Sequence, residues 1–262
     1  MTVDVPSWAG EAAASLPYPL LFATVSGAHL YGFASVDSDL DLRAAHVLPP
    51  QEVVGLRTGP DTLQNSGVRD GVELDVVSHD LLKFARLLNS RNGYVLEQLL
   101  SPLVVLTSEV HAELISLATG MITSNHAHHY LGFAATQKRL YHKSGHLKPA
   151  LYTLRVLLTG IHLMRTGELE TDLGILGQRL AYVPELIAAK REAEHGPMSA
   201  RAAAHLAADV PALRAELEEA RDQSKLPGYA EASAVAALHD LVVRTRLAQS
   251  STSMVSSSPA SP

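Results

Sequence analysis

The sequence predicts an α+β fold in two parts. A small mixed sheet flanked by helices occupies residues 1–105, and an α-helical part occupies 106–248. Three observations lead there. Short apolar runs bounded by turn residues, the mark of strands, occur only in the first part. From Ser108 onward the apolar residues recur at helical spacing instead. Hydrophobic residues make up 47% of the 262, so a core can form without the disulfides that a chain lacking cysteine cannot have.

Taken in order, residues 1–17 read as a lead-in with a short helix from about Glu11 to Leu16. The first strand is Leu20 to Val25, and it stops at Ser26-Gly27, where bare backbone can approach a ligand. Ala28 to Phe33 is a short helix or turn, Asp37-Ser38 a turn, and Asp39 to Val47 the second strand, halted by Pro49-Pro50. Gln51 to Gly71 is rich in Gly, Asp, Asn and Ser and reads as a loop or weak hairpin. Val72 to Val77 is the third strand. Ser78 is placed to cap a helix running to Asn89, and a second helix spans Tyr94 to Leu100. Helical patterns then cover about 108–118, 124–142, 149–166, 180–194, 200–208, 211–224 and 231–248. The Ser/Pro-rich residues 249–262 read as a disordered tail.

The chemistry concentrates in TVSGAHLYGFASVDSDLDLR, Thr24 to Arg43. Asp39 and Asp41 flank Leu40, so on a strand they share one face while Leu40 and Leu42 enter the core. Two carboxylates so close repel unless a cation lies between them, and oxygen ligands suit a hard divalent ion. A glycine turn that opens a helix offers free N–H groups to an anion.

This arrangement resembles the nucleotidyltransferase superfamily of DNA polymerase β. Gly27-Ala28, a ten-residue spacer and Asp39-Leu40-Asp41 match its signature, and the wider string is similar to stand-alone nucleotidyltransferases related to RNA-repair pathways. The usual Ser after the glycine is Ala28 here. The resemblance implies transfer of a nucleoside monophosphate from an NTP to a hydroxyl, an RNA end among the acceptors. It implies two Mg2+ ions, or Mn2+, held by Asp39, Asp41 and a third carboxylate. Asp75 is preferred for that place over Glu73, its neighbour on the strand face. It also implies phosphate binding by Ser26, Gly27 and Ala28. A protein-modifying, AMP-transferring enzyme and a non-catalytic nucleotide- or RNA-binding module are the other readings.

Further cations are candidates for nucleotide contacts. Arg43 shares the carboxylate face, where it meets either the acids or a phosphate. Lys148, Tyr152 and Arg155 recur on one face of the helix from Pro149, to one side of the stripe Leu151, Leu154, Leu158 and Ile161. That face is expected to wall the carboxylate cleft. Lys138, Arg139, His142 and Lys143 add a basic patch to a chain of net charge −6. The five histidines between 126 and 146 lack the spacing of a zinc site. The acidic N-terminus makes a poor signal peptide, and no apolar run approaches the roughly 20 residues of a membrane span, so a cytoplasmic protein is expected.

Overall fold

The computed structural model describes residues 5–192 and 198–255. Helix α1 (Ala9–Ala14) precedes strand β1 (Leu20–Val25), and one turn of helix, α2 (Gly27–Leu30), leads toward β2 (Leu40–His46). Next come α3 (Gln51–Val54), β3 (Thr62–Arg69), β4 (Val72–Asp80), α4 (Leu81–Asn89), α5 (Gly93–Leu99) and β5 (Val104–Leu106). Helices α6 (Glu109–Met121), α7 (His126–Ser144) and α8 (Leu147–Thr166) follow. They are succeeded by the short α9 (Leu173–Leu176), α10 (Val183–Glu192), α11 (Ala200–Asp222) and α12 (Ala232–Val255).

The five strands form one sheet in the order β3-β4-β2-β1-β5. β2 and β4 run parallel and every other pair is antiparallel. Alternation along β2 sends Leu40, Leu42 and Ala44 into a small core with Ala23, Val25 and Val76, closed by Ala9 and Ala13 of α1. On the other side Phe22 joins a larger cluster that runs through Phe84 and Leu96 to Leu154 of α8 and Leu217 of α11. The parallel register sets Asp41 directly beside Asp75.

Several boundaries differ from the sequence reading, each for a physical reason. The segment expected to be a loop or weak hairpin holds β3, an edge strand whose middle is exposed and carries no apolar alternation. It turns into β4 through Asp70-Gly71, both at positive φ (52° and 79°), the preferred chemistry of a two-residue hairpin. Ser78 is not the cap of α4, because its hydroxyl is spent on His46 Nδ1 at 2.9 Å. β4 instead continues to Asp80, whose carboxylate accepts from Leu82 N and also binds Arg246 of α12 at 2.8 Å. Pro211 does not divide two helices. The buried stripe Leu206, Val210, Leu213 and Leu217 carries α11 across it, packing outweighing one missing hydrogen bond. α12 extends into the segment expected to be tail, and residues 256–262 lie outside the described residues. Among the described residues no helix is long and apolar enough to cross a membrane.

Candidate active site

The turn after β1 and the outer face of β2 meet at Asp41. Ser26 N donates to the Asp41 backbone carbonyl at 2.9 Å, which fixes the turn against the strand. Gly27 then adopts φ +64°, and a Cβ there would overlap Asp41 Oδ2. Glycine is required twice over, for the left-handed backbone and for the space the carboxylate fills. Gly27→Ala should therefore destabilise the fold by about 1–2 kcal/mol from the backbone conformation alone. It should also displace the Asp41 carboxylate. A urea melt reads the first effect, and any activity of the well-folded variant reads the second.

Asp41 is partly buried, and that burial raises its carboxyl pKa above the ordinary value. Arg43 opposes the rise, Asp75 and Asp39 add to it, and Lys148 opposes it again. The side chain of Arg43 is 11% exposed, and its Nη2 lies 2.7 Å from Asp41 Oδ1 and 3.1 Å from Asp75 Oδ2. Its Nε donates to the Tyr94 hydroxyl at 2.7 Å, and its Nη1 donates to the carbonyls of Leu42 and Asp75, each at 3.0 Å. Asp75 Oδ1 accepts from Ser66 Oγ at 2.9 Å and from Gln64 Nε2 at 3.4 Å. Asp39 is exposed just before β2, and Glu73 is exposed on β4. His29 of α2 has its pKa lowered by burial, with a hydrogen bond to the Ser38 backbone and the charges of Asp41 and Asp39 pulling the other way. Ser26 is 1% exposed, and its Oγ has no hydrogen-bond partner among the described residues. Ala28 is buried in the larger core.

The expected wall on α8 divides. Lys148 is half-buried and its charge reaches Asp41. Tyr152 packs edge-on against Tyr31 and Phe33, with ring centroids 5.6 and 5.4 Å away. Arg155 does not face the carboxylate strands. It is buried, with Nη1 2.6 Å from Glu97 Oε1 and its guanidinium 3.8 Å above the Tyr31 ring. The reason is that α8 is not a two-faced helix. Residues Thr153 through Ile161 are all buried, and Arg155, one turn after Leu151 and one turn before Leu158, enters the core with that stripe.

A family model described as the RNA repair pathway DNA polymerase beta family matches residues 9–244. The chain belongs to this family. The α+β fold, with its sheet followed by helices, is thus that of a polymerase-β-like nucleotidyltransferase, and nucleotidyl transfer is the class of activity the family carries. Among solved structures, a nucleotidyltransferase-like protein from Exiguobacterium sibiricum 255-15 is similar at 12% identity and a TM-score of 0.31. That match covers 92% of this chain and 74% of the other. No curated protein matches the sequence.

The family's metal chemistry can be tested against the donors present. Among the described residues no group of three or more His, Asp or Glu side chains is disposed to hold a metal ion. An ion held by Asp39 and Asp41 would have to complete its shell with substrate phosphates, as magnesium commonly does. Of the three carboxylates expected for two ions, Asp41 and Asp75 converge on the Arg43 guanidinium, and Asp39 is exposed just before β2. The sequence reading missed Tyr94, Gln64 and Ser66, which position Arg43 and Asp75. Gln64 and Ser66 sit on β3, and the Asp70-Gly71 hairpin signal was the means of finding that strand.

Proposed function

We propose that the chain transfers a nucleoside monophosphate from an NTP to the hydroxyl of an RNA end. The observation that carries this reading is the Asp41 carboxylate seated on the Gly27 turn, beside a buried Ser26 hydroxyl that has no partner among the described residues. A buried polar atom left unpaired costs stability, and a bound phosphate oxygen would satisfy it. Ser26 and the N–H groups of Gly27 and Ala28 bind the triphosphate, with Lys148 supplying charge from α8. Asp39 and Asp41 hold a magnesium or manganese ion, whose chemistry is to neutralise the triphosphate as pyrophosphate leaves. Asp75 accepts the proton of the acceptor hydroxyl as its oxygen bonds to the α-phosphorus and the bond to pyrophosphate breaks. Positioning and charge neutralisation supply most of the rate. Residues 1–105 carry this chemistry in a cytoplasmic protein, and residues 106–248 wall the cleft.

Charge favours RNA as the acceptor. From residue 114 to 167 the chain contains no Asp or Glu, although it is acidic overall. Lys138, Arg139 and Lys143 are exposed on α7 within that stretch. α-Labelled NTPs offered together with RNA and with protein acceptors test the reading. Label on RNA supports it; label on protein makes the chain an AMP-transferring type, and no transfer at all makes it a binding module. In the first case Lys138→Glu with Lys143→Glu should weaken RNA labelling about tenfold or more at low salt. The same pair should lower the salt slope of RNA binding by about one for each phosphate contact removed.

A further inference from the structure

Arg43 occupies the place where polymerase-β-type chemistry would ask for a second metal ion. Its Nη2 touches one oxygen from each of the two facing carboxylates, Asp41 and Asp75. We propose that Arg43 is a permanent cation on the acceptor side of the site, so that the protein loads one divalent ion instead of two. The proposal rests on the nucleotidyl-transfer reading but is separable from it.

Three features support it. The guanidinium is fixed, because Nε and Nη1 are held by Tyr94 and by two backbone carbonyls that do not depend on the carboxylates. Turning it aside would break all of these bonds around a side chain that is only 11% exposed. The carboxylate oxygens are also already allotted. Asp75 uses Oδ2 for Arg43 and Oδ1 for Ser66 and Gln64, whereas Asp41 uses only Oδ1 for Arg43. Asp41 Oδ2 lies against the Gly27 turn, where the triphosphate is proposed to bind. Finally, a dication inserted between Asp41 and Asp75 would lie in contact with the guanidinium, and like charges at that range repel strongly in a partly buried site. Arg43 is here a positioning residue: it holds Asp75 in one orientation and supplies the charge that lets two acids face each other. A lysine is a point charge without the planar fork, so it cannot keep both carboxylates, Tyr94 and the carbonyls at once.

The test counts metal instead of turnover. Wild-type protein is saturated with Mn2+ and α,β-methylene-ATP, freed of excess by gel filtration, and the retained Mn2+ is counted by metal analysis and by electron paramagnetic resonance. One Mn2+ per chain is expected, with no coupling between metals. Arg43→Met should raise the count to two, because it frees Asp41 and Asp75 while keeping an apolar stem of similar length. Two coupled ions in the wild type would overturn the role of Arg43 and leave nucleotidyl transfer standing. No retained Mn2+ would overturn both the single-ion site and metal-dependent transfer. A count of one in folded Arg43→Met would show that the guanidinium does not exclude the second ion. Should that variant not fold, the neutral Arg43→Gln takes its place with the same expected gain, and the wild-type count decides by itself.

Discussion

Asp41→Asn is expected to lose nucleotidyl transfer by roughly 10²–10³-fold, the range seen when one preorganised electrostatic group is removed, while leaving the protein at least as stable as the wild type. The two halves have one cause. Asp41 lies against the Gly27 turn and next to Asp75, so burial and neighbouring acids hold its pKa above the ordinary carboxyl value despite Arg43. A carboxyl whose folded pKa is raised contributes stability that is full below its unfolded value and is lost as pH rises through the folded one. At neutral pH the ionised Asp41 is therefore a net cost to the fold. Asparagine removes the charge and retains an oxygen for Arg43, which keeps Asp75, Tyr94 and the carbonyls as partners. Thermal melts from about pH 4 upward should show wild-type stability falling more than that of the variant over this window. Asp37→Asn, at the turn before β2, is the control and should change neither quantity. Full activity in well-folded Asp41→Asn would remove the carboxylate pair from the mechanism.

What the sequence made legible follows from how local each signal is. β1, the Gly27 turn and β2 were readable because alternation and glycine geometry are decided within a few residues. The placement of Asp41 beside Asp75 was not readable, since it depends on the parallel register of two strands more than thirty residues apart. β3 escaped because an edge strand has little to bury and so needs no apolar pattern. The same locality explains the two surprises in the site. Arg43 was seen to share a face with the acids, but its choice between acid and phosphate is made by Tyr94 and the Asp75 carbonyl, which come from elsewhere in the chain. The Lys148–Tyr152–Arg155 periodicity was real, but periodicity places residues on a common side of a helix and says nothing about what covers that side. Tyr31, Phe33 and Phe133 cover it here, so the outer turn keeps a half-buried lysine near Asp41 while Arg155 enters the core.

Arg155→Ala should accordingly cost stability instead of a substrate contact, by about 3–5 kcal/mol, the usual loss when one partner of a buried ion pair is removed. Arg155 and Glu97 are each 2% exposed and meet at 2.6 Å. Glu97 Oε2 also accepts from the Tyr31 hydroxyl at 2.9 Å, and the guanidinium stacks on the Tyr31 ring, so two side chains lean on the Arg155 charge. Alanine would leave the Glu97 carboxylate buried beside an empty volume, and both the unpaired charge and the cavity are destabilising. Pairing the change with its partner separates these costs. Arg155→Met combined with Glu97→Leu removes both charges while keeping apolar volume, and it should recover much of the loss. Salt gives an independent reading. A contact with phosphate in an open cleft would be screened as ionic strength rises, whereas a buried pair is screened little, so the destabilisation should persist at 1 M salt. Denaturant melts of the single and double variants at low and high salt make the measurement. A single variant within about 1 kcal/mol of wild type, with NTP binding weakened and the defect vanishing in salt, would return Arg155 to the cleft. The geometry predicts the reverse, a weakened core.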